Sequence, residues 1–315
     1  MPLNFKEGFL EKEILVSVVV LTYNAAKTVT ETLDSIAGQT YPNIEIVIAD
    51  DASKDNTIEV VKKWCSEKGK DLSGFVVSQM PQNSGVPANL NAGIRKANGK
   101  YIKIIAADDI LLENCISTNV SVCEKNDYKN LVTWFKKFID TPEGRTYEYV
   151  EPDLEFFASS AQKQYEKLLE ANIVYGCTFF AQKKFLQEMG LYNEKYRLIE
   201  DYPMWIKMTK NGKRINYHNE ITVLYRSGEP SLSNFVGRQI VNARYVTYYD
   251  AFVRKEILPA LLKKGRIRWA LGHIKTLIFH WLVVVLGNDR QKKAAKLLER
   301  IYNKRILLSL KHEKK

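Results

Sequence analysis

Val16-Ser-Val-Val-Val-Leu-Thr-Tyr-Asn24 and Ile44-Glu-Ile-Val-Ile-Ala-Asp-Asp-Ala-Ser53 decide how this chain folds. Each is a strand-length apolar run that closes on a polar cluster, and runs that are continuous rather than alternating mark strands buried on both faces. Between them, Lys27 to Ala37 carries apolar residues at helical spacing. The alternation continues outward. Thr57 to Glu67 predicts a second helix, Phe75 to Val77 a third strand, Pro87 to Ala97 a helix with proline near its first turn, and Tyr101 to Ala106 a fourth strand. Strands alternating with helices predict βαβ units, and so an α/β fold on a mainly parallel sheet.

In open parallel sheets ligands gather at the carboxyl ends of the strands. Here strand 1 ends in Thr22-Tyr23-Asn24, strand 2 in Asp50-Asp51 and strand 4 in Asp108-Asp109, so three strands deliver polar side chains to one edge although Asp108 lies 57 positions after Asp51. Adjacent carboxylates repel unless a cation or hydrogen-bond donors compensate them, and a hard divalent ion bridging phosphates is one such compensation. The plain alternative is turn formation and helix capping, for which Asp, Ser and Asn are favoured.

Residues 112 to 180 are mixed, with a polar, turn-rich loop at Asp140 to Arg145. Phe185 to Met189 reads as a helix stopped by Gly190. An irregular stretch then reaches Ile199-Glu200-Asp201-Tyr202, helical spacing resumes from Met204 to Met208, and Ile221 to Tyr225 is one more strand. Beyond Asn234 the chain reads almost wholly helical, and no internal repeat is visible.

Four segments, in order, carry a resemblance: Val16 to Asn24; Ile44 to Ser53; Asn83-Ser-Gly-Val-Pro-Ala-Asn-Leu-Asn91-Ala-Gly-Ile94 with Gly99 to Asp109; and Glu200-Asp201-Tyr-Pro-Met-Trp205. They resemble the family 2 inverting glycosyltransferases, whose nucleotide-binding α/β domain is the GT-A fold. The resemblance implies a GT-A domain over 1–235, with a nucleotide-binding part at 14–110 and an acceptor-binding part at 111–235, followed by a basic, amphipathic helical region at 236–315. It also implies transfer of a sugar from a UDP-sugar to a carbohydrate or lipid-linked glycan acceptor with inversion, in the synthesis of bacterial surface polysaccharide or lipid-linked oligosaccharide.

Roles carry over position by position. By resemblance Asp51 accepts a hydrogen bond from the pyrimidine with Thr22 lining the same pocket, Asp108 contacts the ribose, and Asp109 binds the Mn²⁺ or Mg²⁺ that bridges the diphosphate. Tyr23, Asn24, Ser53 and Asn91 complete the donor-binding set. Asp201 matches the catalytic base. Inversion needs a carboxylate that takes the acceptor hydroxyl's proton as that oxygen attacks the anomeric carbon. Taken alone, Glu200-Asp201 would equally be an acidic helix start, favoured by the macrodipole. Two departures stand out. Ala106 occupies a position where the family often has Asp, and Leu224-Tyr225-Arg226-Ser227-Gly-Glu-Pro-Ser231-Leu-Ser233-Asn234 resembles a family segment whose usual His is missing. Arg226, Ser231 or water would have to substitute.

Composition sets the rest. The 315 residues are 45% hydrophobic, enough for one large domain with an appendage, and the net charge is +11. That excess is local: residues 251 to 315 hold 17 Lys or Arg against 4 Asp or Glu, while the first 250 hold 30 against 32. The tail also has an apolar run, Thr276 to Leu286, too short to span a bilayer. A cationic amphipathic region on an anionic membrane fits both features, with a packed core helix and a dimerisation element as alternatives. The expected location is cytoplasmic, peripheral on the inner face of the cell membrane, since Met1 to Ile14 lacks a signal-peptide run. Cys65, Cys115, Cys123 and Cys177 show no metal-ligand spacing. A nucleic-acid partner is not expected, because the basic tail lacks interleaved stacking aromatics. A sugar-phosphate nucleotidyltransferase would need a glycine-rich phosphate loop, and Val16 to Ala26 contains no Gly. A catalytically inactive nucleotide-sugar binder would keep the same motifs.

Overall fold

Strands β1 (Val16–Thr22), β2 (Ile44–Asp50), β3 (Gly74–Gln79) and β4 (Tyr101–Ala106) lie side by side in the order β3-β2-β1-β4, all parallel. They belong to a computed structural model that describes residues 14–227, 239–289, 291–294 and 297. The polar part of the segment following Arg226, including Ser231, and the end of the basic tail lie outside the described residues. β1 and β2 are buried almost throughout, as continuous apolar runs require. Their register sets Thr22 opposite Asp50 and Leu21 opposite Ala106, so the polar strand ends align on one edge.

Helices α1 (Val29–Ala37), α2 (Thr57–Lys68) and α3 (Val86–Lys96) connect these strands. α1 begins two residues later than the spacing predicts, because the Thr28 and Val29 amides both donate to the Ala25 carbonyl and close a turn first. α3 packs backbone-close on the sheet. A Cβ at Gly93 would stand 2.8 Å from Val19 and 2.9 Å from Ala49.

After the short β5 (Ile110–Leu111), the stretch from 112 to 180 becomes α4 (Cys115–Asn126), β6 (Asn130–Thr141), β7 (Gly144–Tyr149), α5 (Leu154–Ala158), α6 (Ala161–Leu168) and the start of β8 (Phe179–Gln182). α7 (Lys183–Glu188), α8 (Asp201–Lys210) and β9 (Tyr217–Arg226) follow. Beyond β4 the sheet continues as β8-β6-β9-β5, with β8 antiparallel to both neighbours, β9 parallel to β6, and β7 paired on β6. The polar loop at Asp140 to Arg145 is the tip of the β6–β7 hairpin, where Gly144 takes φ 125°.

The contacts divide the chain into two compact units, residues 1–227 and 228–315. In the second, α9 (Ala243–Phe252), a π-helical turn (Val253–Ile257), α10 (Leu258–Lys263) and α11 (Ile267–Val285) supply the helical structure the sequence predicts. Ile240, Phe279 and Val283 form a small core, and the Asn288 side chain accepts from the Ile240 and Val241 amides at 2.9 and 3.0 Å. His280 and Asp250 pair at 2.7 Å. Among the described residues no helix is long and apolar enough to cross a membrane.

Candidate active site

At the ends of β1 and β2 the chain is folded by one carboxylate. Asp50, fully buried, accepts from Thr22 Oγ1 at 2.9 Å, from the Ser53 amide at 3.0 Å and from Ser53 Oγ at 2.5 Å. Ser53 Oγ in turn accepts from the Asn24 amide at 2.9 Å, and Asn24 Oδ1 accepts from the Lys54 amide at 2.8 Å. Asn24 and Ala52 sit in the left-handed region at φ 53° and 60°, which turns both loops sharply. Thr22 is 2% exposed with its hydroxyl spent on Asp50, so it, Asn24 and Ser53 build the rim, whereas Tyr23 stands 47% exposed on it.

Asp51 lies beneath that rim. Its two oxygens accept from the Ser84 amide at 2.7 Å and the Gly85 amide at 2.9 Å, which fixes the turn before α3. Burial pushes its carboxyl above the usual range, against the pull of those amides and of Arg197, while Asp50 adds a little in the same direction as burial. Gly85 has φ 92°, and a Cβ there would meet the Arg197 carbonyl at 2.4 Å. Asn91 departs from the expected donor set. It is 2% exposed, and its amide bonds the Tyr192 backbone on both sides (2.9 Å each) and Glu194 at 2.8 Å. An amide so spent ties α3 to the segment before α8 instead of facing a ligand.

At the end of β4, Asp108 is partly buried and Asp109 is 1% exposed. Asp109 Oδ1 accepts from the Arg226 amide at 2.9 Å, while its Oδ2 is buried without a hydrogen-bond partner. Burial and then the charge of Asp108 drive its carboxyl well up, with the Arg226 amide, Lys103 and the Arg226 guanidinium opposing. Lys103 is itself fully buried in β4 and donates to the Cys177 carbonyl at 2.6 Å. The Arg226 side chain is engaged by the protein itself. It donates to the Asp108 carbonyl at 2.9 Å, pairs with both Glu31 and Asp140, and lies 4.5 Å over the Phe138 ring. Arg145 closes the ring of charges through the same two carboxylates, at 3.0 Å to Glu31 and 2.7 Å to Asp140.

The second acidic pair opens α8. Asp201 is its first residue and Glu200 its N-cap, both partly buried. Asp201 Oδ1 accepts from the Tyr202 amide at 2.5 Å, and Oδ2 from Asn172 at 3.4 Å. The turn at Gly176–Thr178 passes so close that a Cβ on Gly176 would lie 3.3 Å from Asp201 Cβ and 3.8 Å from Glu200 Oε1. Burial raises both carboxyls; the charge of Asp201 adds to the rise at Glu200, and the Tyr202 amide and Asn172 restrain it at Asp201. Two buried groups feel both acidic pairs. Burial first, then Asp109 and Asp201, hold the Cys177 thiol protonated, and the Tyr225 phenol is raised by burial and then by Asp109, Cys177, Asp108 and Asp201. The turn at Gly176–Thr178 links the two pairs: Lys103 of β4 donates to its Cys177 carbonyl, Gly176 lies against Asp201, and the charges of Asp108, Asp109 and Asp201 all act on Tyr225.

Asn172, Gly176 and Cys177 escape the sequence reading because they lie in its illegible middle segment. Lys103 had a signal, a lone cation inside an apolar strand. Among the described residues no group of three or more His, Cys, Asp or Glu side chains is arranged to hold a metal ion.

Comparison with known proteins agrees with this architecture. The chain is 25% identical over 241 residues to an uncharacterized glycosyltransferase of Rickettsia typhi, covering 76% of this chain and 72% of that one. It is 26% identical over 228 residues to the UDP-Glc:alpha-D-GlcNAc-diphosphoundecaprenol beta-1,3-glucosyltransferase WfaP of Escherichia coli, covering 70% of this chain and 80% of WfaP. Among solved structures it is similar to S. aureus TarS 1-349 in complex with UDP-GlcNAc, with TM-score 0.57, 17% identity, and coverage of 85% of this chain and 81% of that one. Against another crystal structure of the same TarS fragment it spans 60% of that chain, at TM-score 0.54 and 23% identity. At such identities the TarS likeness is one of fold. The profile described as Glycosyl transferase family 2 matches residues 17–190, more than half of the sequence, and the chain belongs to that family.

Proposed function

We propose that this glycosyltransferase moves a sugar from a UDP-sugar to a carbohydrate acceptor with inversion, Asp201 acting as general base. One observation carries the reading: the turn at Gly176–Thr178 meets β4 through Lys103 and meets Asp201 at the start of α8, so carboxylates of both acidic pairs lie near Cys177 and Tyr225. Asp51 and the exposed Tyr23 would receive the base of the donor, with Thr22, Asn24 and Ser53 shaping their loops. Asp108 would meet the ribose. Asp201, at elevated pKa yet partly open, would hold the acceptor hydroxyl and take its proton, while Glu200 tunes it.

The site's chemistry fits Mn²⁺ or Mg²⁺ in the company of a diphosphate. Asp109 offers a buried oxygen with no protein partner, and Asp108 a carboxylate in a more open position. Ions of this kind take one or two carboxylates and complete their shell with phosphate oxygens and water. Bound there, the ion would neutralise charge developing on the leaving diphosphate.

The names of similar proteins support the choice of substrate. WfaP acts from UDP-Glc on a GlcNAc-diphosphoundecaprenol, and TarS was crystallised with UDP-GlcNAc and with UDP. A lipid-linked glycan acceptor would place the enzyme on the cytoplasmic face of a membrane, where the basic residues from 254 onward would meet anionic lipid. Incubation with a panel of nucleotide sugars and Mn²⁺ or Mg²⁺ should release UDP. Pyrophosphate released from UTP and a sugar 1-phosphate in a parallel incubation would point instead to a nucleotidyltransferase, no turnover to an inactive binder, and an NMR spectrum showing retained anomeric configuration would rule out attack with a single base.

A further inference from the structure

The packed helices of the second unit leave one face of α11 uncovered. Ile267, Leu271, Ile274, Ile278, Trp281 and Val285 are 36–61% exposed and fall at alternating steps of four and three residues, which sets them in one stripe along the helix. The far side, through His273, Phe279 and Val283, is the buried one. A folded chain rarely leaves so long an apolar stripe in water without an interaction to serve.

Charge decides between occupants. α11 contains no Asp or Glu; Arg268 and Lys275 border the stripe and are exposed, as are Lys263 and Lys264 just before the helix. Alternating steps of four and three are also the spacing of a coiled-coil seam, but helices that pair with a second copy set complementary charges beside it. Two copies of α11 would bring only cations together. An anionic lipid surface complements the apolar stripe and the cations at once, and it places Trp281 at the depth where indole rings concentrate.

We infer that α11 is a membrane-surface element that lies in the plane of an anionic leaflet, with its Ile267-to-Val285 stripe among the acyl chains and Arg268 and Lys275 at the headgroups. This rests on the proposed membrane-bound acceptor for its purpose but not for its test. The full-length protein should sediment with phosphatidylcholine vesicles that contain phosphatidylglycerol, and much less with phosphatidylcholine alone. Trp64, Trp134 and Trp205 are buried, and Trp269 is partly buried on the side of α11 away from the stripe, so a blue shift of fluorescence on vesicle addition should come mainly from Trp281 and shrink in Trp281→Phe. A Leu271→Gln/Ile274→Gln/Ile278→Gln variant should lose vesicle affinity by about tenfold or more, because burial of these side chains drives interfacial binding. Circular dichroism should show its helices intact, and UDP release in vesicle-free buffer should be unchanged. Binding equal to wild type, or binding lost only in Arg268→Gln/Lys275→Gln, would overturn the apolar insertion. So would light scattering that shows a wild-type dimer and a monomeric triple variant, since a second copy would then cover the stripe. Absence of UDP release from the wild type would leave this result standing and count against the proposed reaction alone.

Discussion

A carboxylate that must accept a proton is most useful where its environment resists its charge, and Asp201 has that environment: it is partly buried, adjacent to Glu200, and held by the Tyr202 amide and Asn172. General-base catalysis is typically worth about 10²- to 10⁴-fold, so Asp201→Asn should lose that much kcat while donor affinity, measured by titration with UDP, barely moves. Glu200→Gln should cost less; if it proves the more damaging change, the base is Glu200. The pH profile follows from the direction of the shift. The base works only when ionised and its folded-state pKa is raised, so kcat should fall on acidification at a higher pH than an ordinary aspartate would give. Stability runs the opposite way: the folded state binds this proton more tightly than the unfolded chain, so stability is lost as pH rises from the unfolded pKa through the raised one. Thermal melts should accordingly show Asp201→Asn gaining on wild type at alkaline pH and the gain vanishing in acid. A constant difference at all pH values would place the strain elsewhere. The places of Asp51, Asp108, Asp109 and Asp201 were legible because they stand just after apolar strands and at a helix start. Asn91 was not, since sequence alone does not distinguish an amide that faces a ligand from one that ties two segments together.

At the scale of elements, parallel strands buried on both faces announce themselves as apolar runs, and so β1, β2 and β4 were readable almost to the residue. β6 was not. Its twelve residues pass from a fully buried stretch, Asn130 to Phe135, to a hairpin arm with exposed positions, so neither a continuous run nor a strict alternation appears. What fixes that arm is the charge ring that joins α1, β9 and the β6–β7 tip: Arg226 and Arg145 share Glu31 and Asp140 and stack on Phe138. The same Arg226 backbone holds Asp109, so the ring also steadies the acidic end of β4. Arg226→Lys keeps the charge but loses the planar fork that reaches Glu31, Asp140 and the Asp108 carbonyl together, a change worth about 1–3 kcal/mol for hydrogen bonds to charged groups. The expected result is a lower melting temperature, faster amide exchange at the β6–β7 tip and weaker UDP binding. Unchanged exchange at the tip would mean that the hairpin is held by its strand pairing alone.

The whole molecule divides its labour as it divides its charge. The first 250 residues are nearly balanced, with 30 basic against 32 acidic, and the sheet, the rim at the ends of β1 and β2 and both acidic pairs all belong to the unit that ends at Ser227. That unit has its own buried hydrophobic residues, from Val16 on β1 to Val223 on β9. The second unit contributes basic charge, a small core of its own and the exposed stripe of α11. A chain ended after Asn242, which keeps the segment following Arg226 and removes α9 to α11, is therefore expected to fold, to bind UDP with affinity within about threefold of the full protein, and to hydrolyse donor slowly in the absence of acceptor. RT ln 3 is under 1 kcal/mol. Transfer to a soluble glycan acceptor should persist, and transfer to a lipid-linked acceptor in anionic vesicles should fall steeply, because the enzyme no longer concentrates on the surface where that acceptor lies. The salt dependence should separate with it: vesicle-based transfer by the full protein should weaken as ionic strength rises, whereas soluble transfer by the shortened chain should not. If the shortened chain instead loses UDP affinity by a hundredfold while remaining folded, the helices must complete the donor site, and the separation of chemistry from surface attachment fails.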